Sequence, residues 1–334
     1  GRERTNDGAA SRGGGSVRIG IDARKISDFG IGTYIRGLLG GLSRCRGDEA
    51  YVVFAPEAAR PLIPGAFEHV IVDAPHYSVS ELVIVGGAAR RAGIDLLHAP
   101  HYVVPITACP VVVTIHDLIH LHQKQRNPVA AIYARTMIGR AVRKSVRILT
   151  VSQAVRNEIV RELGCDAAKI IVTPNGVDDR FRANAANPSP SPYFLYVGND
   201  KPHKNVERLV EGLADVRRVH PQVSLILVGG EFERYQARDG VITPGFVSDD
   251  ELASLYRGAL ALVQPSVEEG FGLPAAEAMA SGVAVITSKA SALVEITGDA
   301  ALHVDAMSAS SIAEAMQRIV NDDVLRLDLA RRGM

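Results

Sequence analysis

Short apolar runs alternate with helical patterns along this chain, and the alternation occurs twice, on either side of one Pro-rich break. The first series of runs is Val17–Asp22, Tyr51–Ala55, His69–Asp73, Leu96–Ala99, Val111–His116, Arg147–Val151 and Lys169–Thr173. They are largely apolar and rich in Val, Ile and Leu, as strands buried on both faces must be. Helical patterns fall between them at Gly32–Ser43, Glu81–Ala92, Pro128–Ser145 and Ser152–Leu163. Ser152 suits an N-cap and Gly164 a C-terminal stop. The second series is Tyr193–Val197, Ser224–Val228, Val241–Thr243, Ala259–Val263, Val283–Thr287 and Ala301–Val304. A βα order of this kind demands parallel sheets with helices on both faces. The expected fold is therefore α/β, with two Rossmann-like doubly wound domains facing across a cleft. Residues 17–182 would form the first and 193–334 the second, joined by the linker 183–192, Ala-Asn-Ala-Ala-Asn-Pro-Ser-Pro-Ser-Pro. Ligands of such folds bind at the carboxyl ends of the strands. Residues 1–16 are Gly-, Arg- and Ser-rich with no apolar core, so they read as a flexible tail and not as a secretory signal.

Composition excludes several classes. A chain of 334 residues with 47% hydrophobic content can bury two cores. No apolar run approaches the length of a membrane span. Cys45, Cys109 and Cys165 stand apart with no Cys-x-x-Cys pair, which fits a reducing compartment, and the expected location is cytoplasmic. The formal net charge is zero, but it is unevenly spread. Residues 1–182 carry 24 Lys and Arg against 17 Asp and Glu, while residues 183–334 carry 13 against 20. From Leu118 to Asn157 there is no acidic residue. Pro128 to Arg147 combines Val129, Ile132, Tyr133, Met137, Ile138 and Val142 with Arg135, Arg140, Arg143, Lys144 and Arg147. Such a helix can lie on an anionic bilayer or pack its apolar face on a sheet, and both readings stand. Nucleic acid is not an expected partner, because no stacking aromatics interleave the charges.

The chemistry concentrates in Glu269-Gly270-Phe271-Gly272-Leu273-Pro274-Ala275-Ala276-Glu277. An apolar run precedes it and a helical pattern follows. The glycines allow close approach of backbone to a ligand. Pro274 suits the first helical position. The start of that helix would present free N–H groups and a positive dipole end to an anion. A phosphate held between two hydroxyl-binding carboxylates describes a nucleotide-sugar. Without a ligand, the same stretch would be a tight turn with two solvated glutamates. A second basic turn, Gly198-Asn199-Asp200-Lys201-Pro202-His203-Lys204-Asn205, follows the first strand of the second domain. Lys204 there can neutralise phosphate charge. Phe29-Gly30-Ile31-Gly32-Thr33-Tyr34 follows the first strand of the chain, but lacks the third glycine of a dinucleotide fingerprint. His116 ends a buried strand in Val113-Thr114-Ile115-His116-Asp117-Leu118. His98, His101, His120 and His122 lie near it in sequence, with no Glu or Cys at zinc-ligand spacing. No Asp-x-Asp is placed to hold Mg²⁺ between phosphates, so neither metal nor cofactor is expected.

These motifs resemble those of the retaining glycosyltransferases of family 4, in the GT-B superfamily, and in particular bacterial polysaccharide mannosyltransferases. The resemblance runs from about Val17 to Met334. It implies that Glu269 contacts the donor sugar's hydroxyls, with Gly270 and the amides of Phe271 and Gly272. Glu277 would bind the ribose, and the helix start at Leu273 the phosphates. Lys204 takes the family's lysine position on the diphosphate, while His203 stands where Arg is common. Gly32 matches the glycine loop that faces the diphosphate, and His116 the histidine near the anomeric centre. Val247, in Gly245-Phe246-Val247-Ser248, matches the segment whose backbone reads the base. Leu149-Thr150-Val151-Ser152 and Asn175-Gly176-Val177-Asp178 match two further elements. His98 to His101 would line the acceptor side. His116, Glu269 and Lys204 are the expected catalytic residues.

The implied reaction is metal-independent transfer of a hexose from an NDP-sugar, GDP-mannose ahead of a UDP-sugar, to a hydroxyl of a glycan or lipid-linked acceptor. Peripheral contact with an anionic membrane would accompany it. A nucleotide-sugar 2-epimerase, a sugar-phosphate synthase and a non-catalytic nucleotide-sugar binding protein remain alternatives. The chain ends at Arg331-Arg332-Gly333-Met334, in what reads as the penultimate helix of the family pattern.

Overall fold

A computed structural model describes residues 16–28, 30–45, 47–74, 79–122, 128–182 and 189–334. Phe29, most of the tail and residues 183–188 of the Pro-rich break lie outside the described residues. The strands form two parallel sheets. The first contains β1 Arg18–Asp22, β2 Ala50–Ala55, β3 Glu68–Ile71, β4 Leu96–Ala99, β5 Val111–Ile115, β6 Arg147–Thr150 and β7 Ile170–Val172. Its order is β3-β2-β1-β4-β5-β6-β7. The second contains β8 Tyr193–Asn199, β9 Ser224–Gly230, β10 Val241–Gly245, β11 Ala261–Gln264, β12 Ala284–Ser288 and β13 Ala301–Val304, in the order β10-β9-β8-β11-β12-β13. Both are the doubly wound α/β sheets expected from the alternation. Internal contacts divide the chain into two compact units, Gly1–Thr114 with Arg140–Arg147, and Ile115–Gly139 with Ile148–Met334.

The second sheet shows why its runs are continuously apolar. Phe194 and Tyr196 of β8 enter a core with Leu209, Leu213, Ile312 and Met316. Their neighbours Tyr193 and Leu195 enter another core with Tyr256, Leu262 and Val285. Successive side chains of a strand point to opposite faces, so a strand covered on both sides needs apolar residues at every position. In the first unit, Ile21 and Val53 pack with Ile35 and Leu39 of the helix Ile31–Arg44.

Most helix ends follow local signals. Ser152 caps the helix Gln153–Leu163 by accepting from the Val155 amide, and Gly164 closes it at φ 61°. Ser248 and Glu251 form a reciprocal capping box on the helix Asp249–Gly258. Most element boundaries shift by one or two residues from expectation, and two of these shifts lie next to the glycine turn. Ala259 is taken up by the end of that helix, its amide bonded to the Tyr256 carbonyl, so β11 starts at Ala261. The helix expected to begin at Pro274 begins at Leu273, with Gly272 as its N-cap and Pro274 one place further in.

In the second sheet the chain reverses direction of growth between β8 and β11, which are hydrogen-bonded neighbours although three β–α steps separate them. The loops after these two strands therefore flank one topological switch point, the place where such sheets bind ligands. They are the Gly198–Asn205 and Pro265–Gly272 turns.

Candidate active site

Glu269 sits at this switch point with its side chain 9% exposed. Three donors converge on one of its oxygens. Lys204 Nζ lies 2.6 Å from Oε1, Gln264 Nε2 2.7 Å and Ser266 Oγ 2.8 Å. Among the described residues Oε2 makes no hydrogen bond. Burial by itself would raise this carboxyl's pKa, but the Lys204 ammonium and the three hydrogen bonds outweigh it and hold the group below its ordinary value. Glu269 is thus a fixed carboxylate anchored through one oxygen.

The two turns are tied to each other by backbone as well. The Val267 amide donates to the His203 carbonyl at 2.7 Å. Asn205, in the left-handed region at φ 61°, donates from Nδ2 to the Pro265 carbonyl at 3.2 Å and also to that of Ala306. His203 is half-buried, and its pKa is pushed down to about 4 by burial first and by Lys204 second. It is therefore neutral near pH 7 and brings no second cation to the site, unlike the Arg common at this position in the resembling family.

Glycine is required at two positions of the turn. A methyl on Gly270 would lie 2.0 Å from the His116 carbonyl oxygen. Gly272 has φ 94°, and a methyl there would strike Leu293 at 2.4 Å. The close packing places His116, half-buried beyond the end of β5, directly against Gly270. Ser152, the N-cap of Gln153–Leu163, also donates to the Gly270 carbonyl at 2.7 Å. Phe271 is buried, and no side chain caps the helix Leu273–Ala280.

Glu277 lies in that helix, 7% exposed, and accepts from the Tyr256 hydroxyl at 2.8 Å. Burial pushes its pKa up to about 7 against the lowering influence of that hydrogen bond, with Asp249 and Asp178 adding to the rise. The Tyr256 hydroxyl is itself driven well above its ordinary range by burial and by the Glu277 charge.

The remaining candidates fall as follows. Gly32 is the second residue of the helix Ile31–Arg44 in the other unit, where a methyl would lie 2.5 Å from the Ile26 carbonyl oxygen. Val247 follows the edge strand β10 and packs partly into the core beside Tyr256. His98 is buried with Nε2 2.8 Å from the Thr114 hydroxyl, and His101 Nδ1 accepts from the Val103 amide at 3.1 Å. The basic helix spans Pro128–Lys144 and turns Ala131, Ala134, Ile138, Ala141 and Val142 inward, with Ile132, Arg135, Arg143 and Lys144 exposed. Sequence reasoning missed Gln264, Ser266 and Tyr256. A glutamine closing a buried strand was the available signal for the first; the other two have none, because Ser and Tyr are common in turns and cores.

Two doubly wound parallel sheets define the GT-B class of fold. Solved structures share the fold over nearly the whole chain. Sucrose-phosphate synthase from Thermosynechococcus elongatus superposes with a TM-score of 0.77 at 20% identity, covering 95% of this chain and 93% of that one. Anabaena HepE in complex with UDP-glucose gives 0.75 at 19% identity, with the same coverage. Two family models then divide the sequence between them: Glycosyltransferase Family 4 matches residues 30–181 and Glycosyl transferases group 1 matches residues 177–334. The chain belongs to glycosyltransferase family 4. Among its relatives, O-antigen chain mannosyltransferase B of Escherichia coli is 28% identical over 261 residues, 72% of this chain and 68% of that one. O-antigen chain mannosyltransferase RfbU of Salmonella typhimurium is 29% identical over 235 residues, 67% of this chain and 64% of that one. The matched stretch thus spans about two-thirds of either relative.

Proposed function

We propose that this glycosyltransferase moves a hexose, with retention of anomeric configuration, from an NDP-sugar to a hydroxyl of a glycan or lipid-linked acceptor. The observation that carries the reading is the Glu269 carboxylate, anchored through Oε1 by Lys204, Gln264 and Ser266, beside an uncapped helix start. Oε2 would accept from a hydroxyl of the donor sugar. Lys204, on whose side the diphosphate would lie, and the helix start would stabilise the departing diphosphate, the main electrostatic task of the reaction. Glu277 would accept from a ribose hydroxyl, with Tyr256 holding it in place. His116 would stand near the anomeric centre, Gly32 would leave room for the diphosphate, and the backbone at Val247 would read the base. The acceptor hydroxyl would attack from the face the diphosphate leaves, and that diphosphate would take its proton. No Mg²⁺ enters the scheme, and turnover should persist in excess EDTA.

The mannosyltransferase names of the relatives support mannose as the sugar moved; the donor proposed is GDP-mannose, with a UDP-sugar as the alternative. A thermal-shift screen of NDP-sugars distinguishes them, because a ligand at 100 times its Kd adds about 2.7 kcal/mol to stability. No helix among the described residues is long and apolar enough to cross a membrane. A cytoplasmic enzyme touching the anionic inner face of the membrane through Ile132, Arg135, Arg143 and Lys144 fits a lipid-linked acceptor.

The division of labour between the glutamates is tested by calorimetry with free NDP. Glu277→Ala should weaken NDP binding, since a ribose hydroxyl loses its acceptor. Glu269→Ala should lower turnover far more than NDP affinity, since only the sugar is lost. Equal loss of NDP affinity in the two variants would refute the assignment.

A further inference from the structure

Among the described residues, one group of metal-ligating side chains surrounds His122. This residue ends the short helix Ile119–His122, whose first amide donates to Asp117 Oδ1 at 3.0 Å. Its Nδ1 lies 2.9 Å from Glu268 Oε1. Its Nε2 lies 3.1 Å from both oxygens of Glu162 and 3.8 Å from Glu158 Oε1. One ligand atom from each of His122, Glu158 and Glu162 falls within 4.8 Å of the others. We propose that His122, Glu158 and Glu162 bind a first-row divalent cation, with Zn²⁺ the best match, and that Glu268 orients the imidazole from behind.

The spacing carries this assignment. Zinc bonds to nitrogen and oxygen are about 2.0–2.2 Å long, so two ligands of one tetrahedral ion stand roughly 3.3 Å apart. The separations of 3.1 and 3.8 Å from His122 Nε2 bracket that value. A simple ion pair would engage one ring nitrogen with one carboxylate. Here both nitrogens face carboxylates, on opposite sides of the ring. With an ion bound in place of the Nε2 proton, the ring would keep its other proton on Nδ1, given to Glu268, and turn the Nε2 lone pair to the metal shared with the other two carboxylates. That is the carboxylate–histidine–metal relay found at protein zinc sites, in which the outer carboxylate sets ring orientation and tautomer. A nitrogen ligand with two carboxylates suits zinc better than Mg²⁺ or Ca²⁺, which take oxygen ligands throughout.

The ligands are also held in place before any ion arrives. Glu158 and Glu162 are four residues apart on the helix Gln153–Leu163 and so share one face. The first turn of that helix is fixed by Ser152 and by Glu295, whose carboxylate accepts from the Gln153 and Ala154 amides at 2.7 and 2.8 Å. The Arg161 guanidinium lies 3.2 Å from Glu162, but its side chain is 70% exposed and can swing away into solvent. A cavity of about 340 Å³, lined by His122, Glu158, Glu268 and Asp117 among others, gives an ion access and room for coordinating water. Glu269 lines the same cavity. Occupancy would therefore tie the helix Gln153–Leu163, through His122, to the residue preceding the candidate sugar-binding carboxylate.

The test is titration calorimetry of the full chain with ZnCl₂ after removal of metals by EDTA and dialysis. The expected result is one saturable zinc ion per chain, with binding lost in Glu158→Gln/Glu162→Gln, which removes two of the three ligands, and affinity lowered about 10–100-fold in Glu268→Gln. His120→Gln, an exposed neighbour, should leave it unchanged. Circular dichroism establishes that each variant folds, and His122→Asn answers the same question if the double variant does not. Zinc K-edge absorption should then report imidazole and oxygen ligands without sulfur. Absence of saturable binding, undiminished affinity in the folded variants, or sulfur ligation would overturn the site.

Discussion

Glu277→Gln should make the protein more stable, by an amount that depends on pH in a way set by one buried carboxyl. Burial raises the Glu277 pKa from 4.5 to about 7. A tenfold change in a proton-binding constant corresponds to about 1.4 kcal/mol, so this rise amounts to about 3 kcal/mol. The sign follows from proton counting. Between pH 4.5 and 7 the folded chain keeps a proton on Glu277 that the unfolded chain releases. The contribution of this group to stability is therefore lost as pH rises through that window, and levels off above it. Glutamine is neutral throughout, has the same volume, and retains an oxygen to accept from Tyr256. The difference between variant and parent should be near zero below the window and approach about 3 kcal/mol at its upper end. For a unit of this size each kcal/mol moves Tm by roughly 2–4 °C, so the separation should reach roughly 6–12 °C. Thermal denaturation of both proteins across the window measures it, and all groups common to both cancel in the difference. A pH-independent difference would refute the buried, protonated carboxyl. The same substitution should weaken NDP binding above about pH 7, where the ribose hydroxyl loses a charged acceptor. A variant that gains stability yet binds NDP as tightly as the parent would leave the burial argument standing and remove the ribose assignment.

Other perturbations have equally definite outcomes. Lys204→Met leaves the Glu269 carboxylate without its cation, which should cost about 3 kcal/mol near neutrality and at least about 10²-fold in turnover. Because Glu269 is held below its ordinary pKa, its stabilisation is present above about pH 4.5 and lost on acidification; in the variant, where the ammonium no longer opposes burial, that loss should shrink, visible in denaturant melts at several acidic pH values. Gly270→Ala forces a methyl against the His116 carbonyl and should destabilise by roughly 1–3 kcal/mol while lowering turnover, whereas Gly65→Ala, with nothing within 4 Å, should do neither. Co-sedimentation with anionic vesicles should weaken by about 1 kcal/mol for each of Arg143→Gln and Lys144→Gln, and by added salt. No sedimentation at low salt would reduce the charge asymmetry to surface solvation.

The amino-acid sequence determined on its own those features that are local. A strand covered on both faces must be apolar at successive positions, so the runs at Tyr193, Ser224 and Val283 were legible without coordinates. Ser152 and Gly164 mark helix ends because capping involves residues three or four apart. The same holds for the glycine turn before Leu273, where close packing and a left-handed backbone demand glycine. The roles of Glu269, Glu277 and Lys204 were suggested by motif spacing and by resemblance.

What only the tertiary structure decided is which distant groups meet. Lys204 reaches Glu269 because β8 and β11 are neighbours, a strand order that periodicity cannot reveal. Gln264 and Ser266 then occupy one oxygen of Glu269 and leave the other open, and Tyr256 meets Glu277 across a core. His122 lies near four other histidines in sequence, and its neighbourhood in the chain holds no carboxylate at ligand spacing. The groups that face its ring are Glu158, Glu162 and Glu268, as far as 146 residues away. Hydrogen bonds and charge pairs act over a few ångströms of space, and a chain that folds back through a parallel sheet brings such groups together irrespective of their separation along the backbone.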